Sequence, residues 1–404
     1  MAWRYIAQRT TTGDFLDWDV PFVPDSPPKR ELNGPGQMQG TISPEYMRLM
    51  SKPDGLPVLS EWATSLYAEF EGRIRWGGII TNIAYQGQAM KITCAGFTAY
   101  PNGMPYFGSV IRSGAKIAQK YIVGGVNYSG RDKNNDGYVD GSSPKRKMPA
   151  KPKDKITTRW DAYDVVRHIW AHLQDYQRGK IGMTLDKHDS GYKLGAASGE
   201  DPWELLWWDS PDCGQTITDV MNLAQADFLE RHYWDGSNEK ILHHIDLGTR
   251  RLGRSRSDLR FASGENIIEI ATPQGQGDFY ANNVYVLGKG TGAKTARARV
   301  VVDDKRIRRA RVITRKSTKN VKTLTEYGKR ERARHSEQLT IPSIAIRHHP
   351  NAPLGSWALG DRILVQVDVP WVGELAIWHR VTAEEIDPAA GTAILTLTRA
   401  DFYG

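Results

Sequence analysis

The clearest ligand chemistry in the chain lies in one run, Asp132-Lys133-Asn134-Asn135-Asp136-Gly137-Tyr138-Val139-Asp140. Asp132, Asn134, Asp136 and Asp140 place oxygens at positions 1, 3, 5 and 9 of a calcium loop, with Gly137 at the sharp turn. Alternating carboxylate and amide oxygens of this kind converge on a hard cation. Position 12 is Ser143 where the loop wants a bidentate Glu, and no clear helix flanks it. The same residues also read as a polar Asn-Asp-Gly surface turn. Calcium, weakly held, is the only cofactor the pattern suggests.

Histidines offer less. His243-His244 and His348-His349 are neighbours, and neighbours on a strand point to opposite faces, so neither pair easily chelates one ion. His168 and His172 have the i, i+4 helical spacing of a zinc pair, but the run is H-I-W-A-H with no Glu between them. They read as core or surface residues. No nucleophile elbow, phosphate loop or dinucleotide fingerprint is present, and the expectation is a protein that is not an enzyme.

A third chemistry is charge. Between Lys289 and Arg334, 17 Lys and Arg stand against four acids, a local charge near +13 inside a total of +8. Arg297 and Arg299 alternate along an expected strand, as do Arg306, Arg308 and the nearby Arg311, a spacing that suits phosphate or an acidic protein. Between those limits only Tyr327 is aromatic, so base stacking is poorly supplied. Weak, sequence-independent contact with DNA stays open beside a protein interface.

The elements that must position these groups are mostly strands. From Leu66 to Tyr100 the chain alternates with period two and is broken by Gly72, Gly77-Gly78 and Gly87. A three-stranded antiparallel unit is expected there. Earlier strands are expected over Trp3–Arg9, Phe15–Phe22 and Met38–Ile42. Residues 127–155 read as loop. Helices are expected over 161–176, with Thr158 as N-cap, and over 216–230, with Phe228 on its inner face. Strands then return at His232–Trp234, Ile241–Ile245, Ile267–Ala271, Asn283–Leu287, Ala296–Val302, Arg308–Arg315, Ile363–Val369, Glu374–Glu385 and Thr392–Thr398, with a charged helix over 323–335. The fold class is therefore mainly β with an α+β middle segment, in a multi-domain chain. Its expected units are 1–112, 113–235 and 236–404, the last carrying the basic segment 289–334.

Composition fits a folded protein: of 404 residues, 40% are hydrophobic and 25% charged. Thirteen tryptophans favour large buried or interface surfaces. No run of eighteen apolar residues exists to make a membrane-spanning helix, and the N-terminus lacks a signal peptide's apolar core. Cys94 and Cys213 stand alone, which leaves neither a disulfide framework nor a thiolate zinc site.

The order of these pieces resembles the tail-tip hub proteins of siphophages, the minor tail proteins that form the structural part of tail-associated lysins. Leu32-Asn33-Gly34-Pro35-Gly36 with Gln39-Gly40-Thr41-Ile42 carries part of the likeness. Ile74 to Ile80 leading into Met90 to Gly96 carries more, as do Leu359-Gly360-Asp361-Arg362-Ile363-Leu364-Val365, Arg380-Val381 and the closing strand. The phrase from Ile341 to Trp357 is similar to versions from phages of actinobacteria.

The resemblance implies two tube-type β-barrels per chain and a homotrimer presenting a pseudo-sixfold ring to the tail tube. It implies a place in the virion, at the tail tip, after assembly in the host cytoplasm. Its partners there are the distal tail protein, the tape measure protein and other minor tail proteins, around a DNA ejection conduit. The chain ends soon after its last expected strand, without the peptidase or muramidase of the lysin branch. The alternative is a tail-associated cell-wall hydrolase or a receptor- or carbohydrate-binding tail protein.

Overall fold

The structure is a computed structural model. It describes residues 3–43, 45–46, 55–87, 89–107, 119–123, 126–130, 160–176, 178–194, 203, 205, 209–249, 251–270, 274–275, 280–315, 319–335, 339–370 and 373–400. The chain is mainly β, as its alternating sequence requires, and one 14-stranded sheet runs through it.

The N-terminal lobe of that sheet contains the expected three-stranded unit. Thr64–Phe70, Arg73–Gln86 and Ala89–Ala95 pair antiparallel in succession, flanked by Trp3–Arg9 and Gln37–Ile42. Glu71 and Gly72 turn the first hairpin with φ of 53° and 75°. Left-handed values at both central residues match the twist of the flanking strands. Thr64–Phe70 departs from simple alternation, because all seven residues are buried. Leu66 and Ala68 enter the lobe's own core, while Tyr67 enters a second core on the other face.

The C-terminal lobe is built from Arg362–Val369, Gly373–Asp387, Thr392–Arg399, Ser343–Arg347 and Ile267–Ile270, all antiparallel. Ser255–Ala262, a strand the sequence reading misses, adds in parallel to Arg362–Val369. Three residues, Lys29–Glu31, make the sheet continuous. They pair with Gly373–Asp387 on one side and meet Gln37 on the other.

The α+β middle segment packs on the back of the N-terminal lobe. Helix α1 spans Ala162–Gln174 and α2 spans Cys213–Ala224. Both bury an apolar stripe, including Val166, Ile169, Trp170, Ile217 and Val220, in one core with Ile6, Tyr67 and Phe97. The N-cap of α1 is Asp161, not Thr158: its backbone is still extended and its carboxylate accepts from the Tyr163 N–H. The second helix starts and stops earlier than expected. Asp212 caps it, Gln225 ends it in the left-handed region, and Phe228 belongs to the strand Phe228–Trp234. That strand pairs antiparallel with Ile241–Leu247, which also takes Met183–Leu185 in parallel.

The basic segment forms a smaller layer. Asn283–Leu287 lies between Arg297–Val301 and Ala310–Thr314, and helix α3, Val321–Arg334, covers one face through Leu324. Of the expected strand over 15–22, only Phe15–Asp17 pairs. Among the described residues, no helix is long and apolar enough to cross a membrane.

Candidate functional site

The expected calcium ligands Asp132, Asn134, Asp136 and Asp140 lie outside the described residues. The basic residues do not share one face. Arg297 and Arg299 are exposed on the outer face of the three-stranded layer. Arg306 and Arg308 precede the strand that begins at Ala310, so they sit in a loop. Arg311 is in register with the buried Val284 and pairs with Glu331 of α3 at 3.0 Å, on the helix side. An aromatic ring that lies just outside the basic stretch joins the outer face: the guanidinium carbons of Arg299 and Arg308 stand 5.4 and 5.9 Å from the centre of Tyr285.

The histidines of α1 are half-buried at the edge of the core. His168 and His172 lie against Tyr106, and burial holds the His172 ring down at about 4 and His168 below its ordinary value. His243 and His244 do point opposite ways. Each face gives its histidine a separate set of partners.

The densest polar chemistry lies where the three parts of the chain meet, along the strand Phe228–Trp234. Just before it, the carboxylate of Asp227 is fully buried. It accepts from Asn33 Nδ2 of the N-terminal lobe at 2.9 Å, from Arg251 Nη1 at 3.0 Å and from the Leu252 N–H at 3.0 Å. Arg380 of the C-terminal lobe completes the cluster, donating both Nη atoms to the same carboxylate. Asn33 holds this place because its left-handed backbone (φ 61°) lets its side-chain oxygen accept from the Phe228 N–H. Its own N–H donates to the Phe228 carbonyl. Asn33 and Arg380, 347 positions apart by their numbering, thus converge on one carboxylate.

Further along the strand runs a chain of neutral groups. Glu230 accepts from the Phe97 and Thr98 N–H groups at 2.6 and 2.9 Å and from the Thr98 hydroxyl at 2.8 Å. His232 Nε2 lies 2.8 Å from the same carboxylate, so it carries a hydrogen and donates. Nδ1 of His232 and Nδ1 of His243 lie 3.0 Å apart and share one hydrogen. The remaining nitrogen of His243 accepts from the Tyr67 hydroxyl at 3.3 Å. Burial, and then the neighbouring His232, keeps His243 well below the ordinary histidine value, and burial pushes the Tyr67 phenol up. Gly77 makes room, since a Cβ there would lie 2.6 Å from the Tyr67 ring and 3.0 Å from His232.

Sequence reasoning missed both clusters, and the hydrogen-bond partners explain why. Glu230 and Phe97 are 133 positions apart, and Tyr67 and His243 are 176 apart. The only local signal is Asn33-Gly34-Pro35-Gly36, which enters the sequence reading only through the resemblance it carries. Beside the junction, a cleft of about 290 Å³ is lined by Arg30, Arg73, Arg75, Trp76, Arg231 and His232, among others. Burial, and then the adjacent Arg73, lowers the Arg75 guanidinium from its ordinary value.

By sequence, no known protein family and no curated protein matches this chain. Solved structures match by fold. The chain is similar to the 43 kDa tail protein of prophage MuSo2 from Shewanella oneidensis, over 99% of each, with a TM-score of 0.55 and 11% identity. It is similar to the tail protein from Neisseria meningitidis MC58 over 99% of this chain and 98% of that one, with a TM-score of 0.50 and 11% identity. The chain therefore has, from end to end, a fold found in phage-type tail proteins.

Proposed function

We propose that the chain is a structural tail protein, the hub at the tip of a long, non-contractile phage tail. The observation that carries this reading is the end-to-end fold likeness to two tail proteins, which spans 99% of the chain. In this reading three copies form a ring that joins the tail tube to the host-facing tip and encloses part of the DNA conduit. The distal tail protein, the tape measure protein and other minor tail proteins are its neighbours, in the virion of a phage of actinobacteria. The N-terminal and C-terminal lobes each close a tube-type barrel, and the middle segment, with Ile241–Leu247 in its sheet, lies outside or below the ring. The proposed role is structural, with no catalysis.

The architecture supports a scaffold role. A continuous sheet and a buried three-way junction lock the lobes together, which suits a scaffold more than a mobile lid. The outer face of the basic layer suits a protein neighbour better than bases. Val301 and Val312 are exposed there, and the Tyr285 ring already carries two guanidinium groups. We assign Arg297, Arg299 and Arg308 to an acidic tail neighbour, with only weak, salt-sensitive contact with passing DNA. The loop with Asp132, Asn134, Asp136 and Asp140 is assigned a weak calcium ion, which calcium titration of an Asp136→Ala variant tests.

The deciding experiment is the native mass of the purified chain, combined with negative-stain imaging. A ring of three times 45.4 kDa supports the hub. A monomer that also fails to join tails in a reconstituted assembly, or one that clears cell walls in a zymogram, sinks it.

A further inference from the structure

The outward face of the middle sheet holds a cluster that stands apart from the tail reading. Met183–Leu185 and Ile241–Leu247 run parallel, which sets Thr184 beside His244. Thr184 Oγ1 lies 2.9 Å from the His243 carbonyl oxygen and 2.8 Å from His244 Nδ1. A hydroxyl has one hydrogen, and a carbonyl can only accept. Thr184 therefore donates to His243 and accepts from His244, whose Nδ1 must carry a hydrogen.

The other ring nitrogen faces two acids. His244 Nε2 lies 3.0 Å from Asp186 Oδ1 and 3.6 Å from Asp246 Oδ1. In the neutral ring that nitrogen presents a lone pair to two anionic oxygens, which repels. A positive charge belongs at that point, either a proton on Nε2 or a metal ion in its place.

Three features favour a metal. First, the ligand atoms are spaced for one: tetrahedral zinc with bonds of about 2.0–2.1 Å sets its ligands about 3.3 Å apart. All three atoms fall within 4.8 Å of one another. Second, the carboxylates are already aimed. The Leu247 N–H holds Asp186 Oδ2 at 2.9 Å and leaves Oδ1 to the ring, while Arg231 holds both oxygens of Asp246, Nε at 2.5 Å from Oδ2 and Nη2 at 2.6 Å from Oδ1, so Oδ1 would share its lone pairs between Arg231 and the ion. Third, the Thr184 hydroxyl bonded to Nδ1 is the outer contact that fixes a metal-binding imidazole with Nε2 toward the ion.

We propose that Asp186, His244 and Asp246 bind a divalent ion of the zinc class, through one imidazole nitrogen and two carboxylate oxygens. Imidazole disfavours calcium and magnesium at this point, and the partly exposed ligands leave a fourth position to water or to a partner's side chain. The ion would pin the loop after Leu185 to the edge of the middle sheet. Arg231 offsets part of the acid charge, so binding is reversible and not structural in the zinc-finger sense.

The test is zinc chloride titrated into the full chain by calorimetry, with cobalt(II) absorption as a second probe. One site with a dissociation constant below about 100 µM is expected, roughly 5.5 kcal/mol in binding terms. His244→Ala and Asp186→Asn should each weaken it at least about tenfold. A His348→Ala/His349→Ala double variant should bind as the parent does. Zinc should raise the melting temperature of the parent and not of His244→Ala. If His244→Ala fails to fold, Asp186→Asn, which keeps the side-chain shape, decides alone. The proposal is overturned by no zinc uptake in the parent, or by full affinity in Asp186→Asn or in folded His244→Ala.

Discussion

Two polar clusters, one just before and one within the strand Phe228–Trp234, hold the chain's parts together by different physics. Before the strand, Asp227 is a charge answered by charges, with Arg380 and Arg251 both aimed at it. At its middle, Glu230 is answered chiefly by dipoles, namely backbone N–H groups and a hydroxyl, with the His232–His243–Tyr67 chain behind them. The first ties in the C-terminal lobe and the second ties in the N-terminal lobe. Buried ion pairs are costly to break because the surviving partner stays buried and unpaired. Neutral chains lose less when cut, but they tolerate protons badly.

The largest expected effect tests the ionic cluster. Asp227→Ala leaves the Arg380 guanidinium, 2% exposed, without its carboxylate, and should cost about 3–5 kcal/mol in urea unfolding. An Arg380→Met/Asp227→Leu double variant should recover much of that loss. If the double variant is no better than the single one, the cluster supplies more than mutual neutralisation.

A pH series sharpens the contrast next, read on the neutral histidines of α1. His172 is held at about 4 in the fold by burial and then by His168, against 6.5 unfolded. The unfolded chain therefore binds more protons between those values. Stability is fully present above about pH 6.5 and is lost as pH falls toward about 4, by roughly 3 kcal/mol for this residue. His172→Phe should flatten the curve, measured as melting temperature against pH. An unchanged slope in that variant would mean the ring is not kept neutral by its site.

A smaller cost is expected at the neutral chain. Glu230→Gln keeps one acceptor but turns an amide toward the Phe97 and Thr98 donors, and should cost about 1–3 kcal/mol. The test is whether that figure stays below the Asp227→Ala loss. If it does not, the difference between charge-answered and dipole-answered anions fails for this strand.

The smallest effect belongs to the surface. Arg297→Ser should change stability by less than about 0.5 kcal/mol, because its side chain is exposed. Its readout is assembly: weaker association with an acidic tail partner, lost further as salt rises.

Strands and helices were largely legible because each announces itself locally. The period of two in 64–95 and the apolar stripe of Val166, Ile169 and Trp170 needed no distant partner. What failed were ends and faces. Phe228 looked helical because apolar spacing continues past Gln225, but pairing with Ile241–Leu247 outweighs propensity there. Arg311 looked like its neighbours until the parallel register placed it beside Val284. His243-His244 shows the limit most sharply. The two rings do face opposite ways, yet that spacing says nothing of Tyr67 on one side or Asp186 on the other. Those partners come from other strands, and a spacing rule cannot see them.

The short strand Lys29–Glu31 has a consequence in time. Arg30 and its partner Glu384 are 354 positions apart, so this seam is among the most non-local pairings in the chain. At about 5–20 residues per second, a ribosome takes roughly 20–70 s to make the intervening chain. Throughout that interval the N-terminal lobe can fold while its seam edge waits unpaired. The edge strand is only three residues long and follows Pro27-Pro28, with Lys29 and Arg30 in it. Brevity, proline and positive charge are the features that keep a waiting edge from pairing with the wrong chain.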